Sequence, residues 1–219
     1  MGSNVACGVA AGQAPRRRRS ARTGCRASGR IAAEPVPILR RRCNDRLMAF
    51  PVPLPSELRD KSVSLRALTD DDWRLEYELS RVPDVPAWTY YPADMDEDYA
   101  RRRIARTKER HQERLAGRYA VLLDGLPVGT AGMAEVEDAE PELFYVLSPA
   151  GRGHGAATGS VRLLTEWLSS QGFSAVALET LAGNTASERV AERAGFRNTG
   201  SHPGTHRGQA VQLNRWLRT

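Results

Sequence analysis

The thirteen residues from Ser148 to Ser160, SPAGRGHGAATGS, hold four glycines between two very different patterns. Before them runs LFYVL, a short apolar stretch of strand character. After them Ala157, Val161, Leu164 and Leu168 recur at helical spacing and form one apolar stripe. A strand that feeds a helix through so tight an elbow must have that helix packed back on its own sheet. The elbow also presents the first N–H groups of the helix, aligned with its dipole, and its glycines allow close backbone approach. It is therefore expected to hold an anion, and most simply a phosphate.

The type of phosphate can be narrowed. A P-loop needs Lys at the end of its glycine run, and the only lysines, Lys61 and Lys108, lie elsewhere. A dinucleotide fingerprint is closer, since Gly151-x-Gly153-x-x-Ala156 fits G-x-G-x-x-A and Glu179 follows at the end of the next strand. Against it, Ser148-Pro149-Ala150 separates the strand from the glycines, and the neighbouring strands read as hairpins. A third pattern, [RQ]-x-x-G-x-[GA], fits Arg152-Gly153-His154-Gly155-Ala156-Ala157. It asks only for a backbone cradle suited to a pyrophosphate.

The surrounding chain sets the architecture. Ser62–Leu68 alternates as a strand, and Asp70–Asp72 supply an acidic start for a helix to about Ser80. Val82–Pro92 holds three prolines and reads as a loop with Trp88, Tyr90 and Tyr91 as aromatic anchors. The spacing predicts a long charged helix over Asp96–Ala116, stopped by Gly117. Strands follow at Arg118–Asp124, Pro127–Val136 and Glu142–Leu147, the first two joined by the hairpin signal Asp124-Gly125. Beyond the elbow helix, ended by Gly172, come a strand at Ala175–Thr180, a helix at Thr185–Ala194, and strands near Phe196–Ser201 and Gln209–Leu217. An antiparallel meander leading into one βαβ unit is an α+β (mixed α/β) fold. The expectation is a central, mostly antiparallel mixed sheet of about seven strands with helices on both faces.

Charge divides the chain. Residues 1–47 carry eleven arginines and two acids, a net +9, whereas the remainder carries 21 basic and 24 acidic groups, a net −3. The tail, with Arg16–Arg19 and Arg40–Arg42, lacks apolar periodicity and is expected to be disordered. Three functions compete for it, a nucleic-acid-binding arm, an organellar transit peptide and a myristoylated start in which Ala6 stands where Ser or Thr is wanted, and the stronger expectation is that it has none and that the protein begins at Met48. Residues 48–61 are read as an extended lead-in and 62–219 as the domain. The mildly acidic domain makes nucleic acid an unlikely partner. No apolar run approaches the roughly 20 residues needed to cross a bilayer. The cysteines (Cys7, Cys25, Cys43) all fall in the tail without CxxC spacing, and the four histidines are scattered, so no metal site is expected.

The stretches ELFYVLSPAGRGHGAATGSVRLLTEWL and NTASERVAERAGF, supported by SLRALTDDDW and GLPVGTAG, resemble the GNAT superfamily of N-acetyltransferases, in particular its RimJ/RimL-like ribosomal-protein branch. The resemblance spans about residues 62–219. It implies a splayed parallel strand pair and direct transfer of acetyl from acetyl-CoA to an amine in a ternary complex. It further implies a cytoplasmic enzyme, monomeric or homodimeric, acting on a protein N-terminus or a small-molecule amine.

By the same resemblance, Arg152, Gly153, His154, Gly155, Ala156 and Ala157 cradle the coenzyme pyrophosphate, with the His154 ring in solvent. Val146 and Leu147 offer main-chain contacts to the thioester and pantetheine. Asn184 and Ser187 reach toward the coenzyme, while a capping box Thr185-x-x-Glu188 accounts for the helix start. Glu142, or Glu135 or Glu137 on the preceding strand, is expected to serve as general base. Where many relatives carry a Tyr as acid on the last helix, this chain has Ala191, which leaves Ser187 as the substitute. The missing Tyr keeps a rival reading open, a non-catalytic acyl-CoA sensor on the same fold. Trp88, Tyr90 and Tyr91 either wall the acceptor site or anchor the core.

Overall fold

A computed structural model of the protein describes residues 49–134 and 140–219. The expectations for residues 1–47, for Glu135 and for Glu137 lie outside them. The described chain runs β1 (Glu57–Arg59), β2 (Val63–Ala67), α1 (Trp73–Arg81), α2 (Val85–Trp88), α3 (Glu97–Gln112), β3 (Ala116–Leu123), β4 (Leu126–Ala134), β5 (Glu142–Leu147), α4 (Ala156–Ser170), β6 (Val176–Leu181), α5 (Thr185–Arg193), β7 (Arg197–His206) and β8 (Gln209–Arg218). All eight strands join one sheet in the order β1-β2-β3-β4-β5-β6-β8-β7, and only β5 and β6 are parallel.

The strand missed by sequence reading is β1, which lies in the lead-in. Its three residues pair antiparallel with β2, and Phe50 and Leu54 just upstream are buried in the main core. Three prolines mask the pattern there, yet Phe50 N–H reaches the Arg114 carbonyl at 2.8 Å and its ring meets Phe173 edge-on.

Local signals explain most other boundaries. Asp124 and Gly125 both adopt positive φ (51° and 80°), the geometry of a tight two-residue hairpin turn. Arg207 and Gly208 do the same (51° and 79°) between β7 and β8. The long helix α3 starts where Asp96 accepts from the Tyr99 N–H at 2.6 Å. It ends four residues short of the expected Ala116. Arg114 takes the left-handed position (φ 61°), and Leu115 N–H closes on the Arg110 carbonyl. Gly117 is thus no helix stop but a β3 residue, and a Cβ there would sit 2.9 Å from the Tyr119 hydroxyl. The loop at 82–92 contains the short helix α2.

The sheet is covered on both faces. Strand side chains Leu65, Tyr119, Val121, Ala131, Leu143, Tyr145 and Leu178 pack against α4 and α5 in one cluster. Ala120 and Val146 turn the other way, onto α1, α3 and the loop between α2 and α3. On that second face Glu76 of α1 is fully buried and meets Arg103 of α3 at 2.7 Å and Arg118 of β3 at 3.4 Å. Burial alone would raise its pKa, but the two guanidiniums outweigh that and hold the carboxyl below its ordinary range. Tyr91 lies beneath both arginines and its hydroxyl meets Thr130 Oγ1 of β4 at 3.0 Å.

This cluster sets a stability prediction. A carboxylate with a lowered folded pKa contributes stability above its unfolded value, and loses it as pH falls through both values. Glu76→Gln should cost about 3 kcal/mol at pH 7, because it strands two buried cations. Urea midpoints of the wild type and Glu76→Gln should converge as the pH is lowered below about 4, the range of a free glutamate.

Candidate active site

Two strands that begin as neighbours and then part create the cleft. The β5–β6 ladder consists of Glu142↔Ala177 and Leu143↔Leu178 and goes no further, although both strands continue. Beyond Leu143, β5 stays paired only with β4, and beyond Leu178, β6 only with β8. The gap opens at the carboxyl ends of the parallel pair, where open sheets with crossover helices place their ligands. The elbow into α4 and the start of α5 border it.

Strand parity decides which backbone groups face the gap. Pro141 gives its carbonyl to Ala177 on the β6 side, whereas Ser148 N–H goes to Val128 on the β4 side. Odd residues therefore turn their main-chain groups toward β6, and even residues turn theirs toward β4. Leu147 turns its N–H toward the gap. Val146 does not, because its backbone groups are spent on Thr130, the residue opposite it in β4. Tyr145 takes the place assigned to Val146, a substitution legible only once the pairing is known.

The elbow is anchored before it opens. Pro149–Gly151 forms a 3₁₀ turn, and a Cβ at Gly151 would stand 2.8 Å from Val128 Cβ. Val128 is the extra residue where the β3–β4 register slips. Gly153 and Gly155 then take φ of 82° and 80°, with nothing within 4 Å of a Cβ at either position. Gly155 caps α4. The leading N–H groups of α4, at Ala156, Ala157 and Thr158, lie outside the helix's own hydrogen-bond ladder. His154 is exposed, and Ala156 and Ala157 bury their methyls beneath the cradle. This donor set, with open space above it, fits a pyrophosphate.

Arg152 departs from expectation. Its guanidinium grips Asp84 with two hydrogen bonds (2.7 and 2.9 Å) and also donates to the Leu147 carbonyl at 3.1 and 3.2 Å. The side chain ties the end of β5 to the loop carrying α2 and is not directed to the elbow's ligand face. Asn184 is likewise a cap, replacing the expected Thr185–Glu188 box. Its Oδ1 accepts from the Ser187 N–H at 3.2 Å, while Glu188 receives Asn214 at 2.9 Å. Ser187 is fully buried in the first turn of α5, and Ala191 is buried one turn further on.

The opposite face of the two strands carries Glu142 and Glu179. Glu142 is buried at the closed end, level with Ala177. Glu179, the first β6 residue past the last pairing, is also buried, and His202 Nε2 of β7 meets it at 2.9 Å. Arg215 approaches Glu179 at 3.9 Å and pairs with Glu140. Sequence reading set Glu179 aside as a nucleotide ligand and His202 as an isolated histidine. Their 23-residue separation hides a contact that only the β6-β8-β7 order creates.

Loop 84–91 crosses this face. Trp88 packs on Leu181 and Leu213, and the Tyr90 hydroxyl donates to the Thr205 carbonyl at 2.8 Å. His206 Nε2 meets the Ala87 carbonyl at 3.1 Å, and Arg207 donates to the Pro86, Thr89 and Tyr91 carbonyls. The loop is therefore pinned at one end by Arg152 and along its length by the β7–β8 turn. Tyr91 is a core anchor, whereas Trp88 and Tyr90 belong to this arch. Asp84→Asn should weaken one end only. Hydrogen exchange at the Val85 and Trp88 amides is expected to quicken about fivefold, and that of the β3 and β4 amides to stay unchanged.

Among the described residues, none form a cluster suited to a metal, and no helix is long and apolar enough to cross a membrane. No curated protein matches the chain in sequence. Among solved structures, it is similar to RimL, a ribosomal L7/L12 alpha-N-protein acetyltransferase in complex with coenzyme A. The two share 18% identity, with 73% of this chain and 94% of that one covered and a TM-score of 0.66. The microcin C7 self-immunity acetyltransferase MccE, in complex with acetyl-CoA and AMP, is 15% identical over 73% and 93%, with a TM-score of 0.67. An acetyl transferase from Salmonella typhimurium that modifies the N-terminal serine of L7/L12 is 17% identical over 74% and 98%, with a TM-score of 0.66. These likenesses concern the fold. The family model described as an acetyltransferase (GNAT) domain matches residues 62–197. With that match over the parted strands and the glycine elbow, the chain belongs to the GNAT family of acetyltransferases.

Proposed function

We propose that the protein transfers an acetyl group from acetyl-CoA to a primary amine by direct attack in a ternary complex. The observation that carries this reading is the gap beyond Leu143 and Leu178, which leaves the backbone of Tyr145 and Leu147 facing a space that leads to the elbow. The pyrophosphate rests on the N–H groups from Gly153 to Ala157. The pantetheine arm lies along β5 in place of the absent partner strand. Its amides pair with the main chain of Tyr145 and with the Leu147 N–H, since Arg152 already holds the Leu147 carbonyl.

The thioester then points through the gap to the opposite face. The amine nitrogen attacks the carbonyl carbon, and the π electrons move to oxygen, where N–H groups of the opened strand stabilise the oxyanion. The carbonyl re-forms, the C–S bond breaks, and the electron pair leaves on sulfur. The ammonium proton departs to a base. Glu179 is the favoured base, oriented by His202 and placed where the strands part. Glu142 lies deeper and supports it electrostatically. Three carboxylates on this face, Glu140, Glu142 and Glu179, also suit a cationic acceptor. The acceptor is a protein N-terminus, as for the RimL-type neighbours, or a small-molecule amine entering beneath Trp88 and Tyr90. The acyl-CoA sensor remains the second reading because Ala191 stands where a phenol is common.

Thiol release from acetyl-CoA across peptides, amino acids, polyamines and aminoglycosides tests this directly. Turnover on at least one amine is expected, with kcat falling about a hundredfold in Glu179→Gln and less in Glu142→Gln. Tight acetyl-CoA binding without turnover on any amine would favour the sensor, and absence of binding would overturn the reading.

A further inference from the structure

Tyr145 carries a feature that neither the sheet nor the core explains. Its ring is fully buried on the α4–α5 face, within the cluster that contains Leu147, Ala157, Val190 and Ala191. Its hydroxyl is buried and, among the described residues, makes no hydrogen bond of ordinary geometry, with only Ser187 near enough to interact with it. A buried phenol without a well-formed partner is destabilising relative to a satisfied one, so a Phe would serve packing better. Tyr119 shares this trait, but it lies on β3, two strands from the gap. Tyr145 is the second residue of β5 past the last β5–β6 pairing, and its own backbone groups face the gap. Ser187, at the start of α5, is its polar neighbour.

Resting on the reading above, we infer that the Tyr145 hydroxyl donates a hydrogen bond to the coenzyme sulfur, reaching from β5 the position left without a phenol by Ala191 on α5. Burial raises the pKa of this phenol, and Ser187 offsets only part of the rise. A thiol ionises near 8.5, well below even an ordinary phenol near 10. Tyr145 therefore keeps its proton throughout. It stabilises the thiolate as the C–S bond breaks, and the proton that later neutralises sulfur comes from the ammonium through solvent. Such a bond to a developing charge is stronger than the same bond to a neutral thioester, so it acts on the leaving step rather than on ground-state binding.

The test is Tyr145→Phe, read in three ways. kcat should fall about ten- to a hundredfold with acceptor KM within about twofold. The urea midpoint should hold or rise, because the variant removes an unsatisfied hydroxyl; a fall alongside the activity would mean a structural role and would overturn the proposal. The third reading needs no acceptor. At pH 9 the wild type should bind coenzyme A at least about fivefold more tightly than desulfo-coenzyme A, and Tyr145→Phe should abolish most of that preference. Wild-type binding without turnover would count against the transferase reading alone, since the desulfo comparison still decides the role of Tyr145. An unchanged preference in Tyr145→Phe would overturn this proposal alone, and loss of all coenzyme binding in the wild type would overturn both.

Discussion

The parting of β5 from β6 is the constraint on which everything else depends. Each strand is fully paired on its outer side, β5 with β4 and β6 with β8 over six residues apiece, and only two residues of each pair between them. Closing the gap would satisfy more backbone hydrogen bonds, and buried backbone groups are rarely left unpaired. The strands are held apart by what grips them from outside. The β4 bulge at Val128 takes the Ser148 amide and seats Gly151, while Trp216 of β8 donates to Thr180 of β6 at 3.0 Å. A sheet with one unfinished ladder is a binding site for anything that can complete it.

The two halves flanking that opening are linked by one loop. Residues 84–91 belong by sequence to the α1–α3 half, yet five hydrogen bonds tie them to Thr205, His206 and Arg207 at the end of β7 and its turn. Arg152 adds a tie from the coenzyme elbow to the same loop. Glu76, Arg103 and Arg118 fix its far end through Tyr91. The coenzyme side and the acceptor side thus share a rigid frame built mostly of arginines reaching main-chain carbonyls, an arrangement for which the planar guanidinium is better suited than an ammonium.

Much of this was legible in the sequence, for reasons that are local. The hairpin at Asp124-Gly125, the bounds of β5, the stripe on α4 and the glycine elbow at its start follow from residue types within a few positions of each other. What was not legible depends on partners distant in the chain. Arg152 looked like a ligand residue because its partner Asp84 lies 68 positions away. The Glu179–His202 contact needs the strand order. The choice between Val146 and Tyr145 as the gap-facing backbone needs the ladder register, which periodicity cannot supply. Asn184 was misassigned more simply, since Thr185 and Glu188 mimic a capping box one position late.

The buried Phe50 and Leu54, with β1, redefine what one unit of this protein is. The stretch matched by the family model, 62–197, leaves out these residues and most of the β7–β8 hairpin. That stretch is a unit of recognisable pattern, and the packing of the core and the pairing of the sheet extend beyond it at both ends. A truncation designed on the pattern would expose the β2 edge, uncover Phe173 and strip β6 of its β8 neighbour. Such a fragment would keep every residue of the glycine elbow and its anchors, yet lose the outer strand that holds β6 and the Arg207 ties on the loop at 84–91.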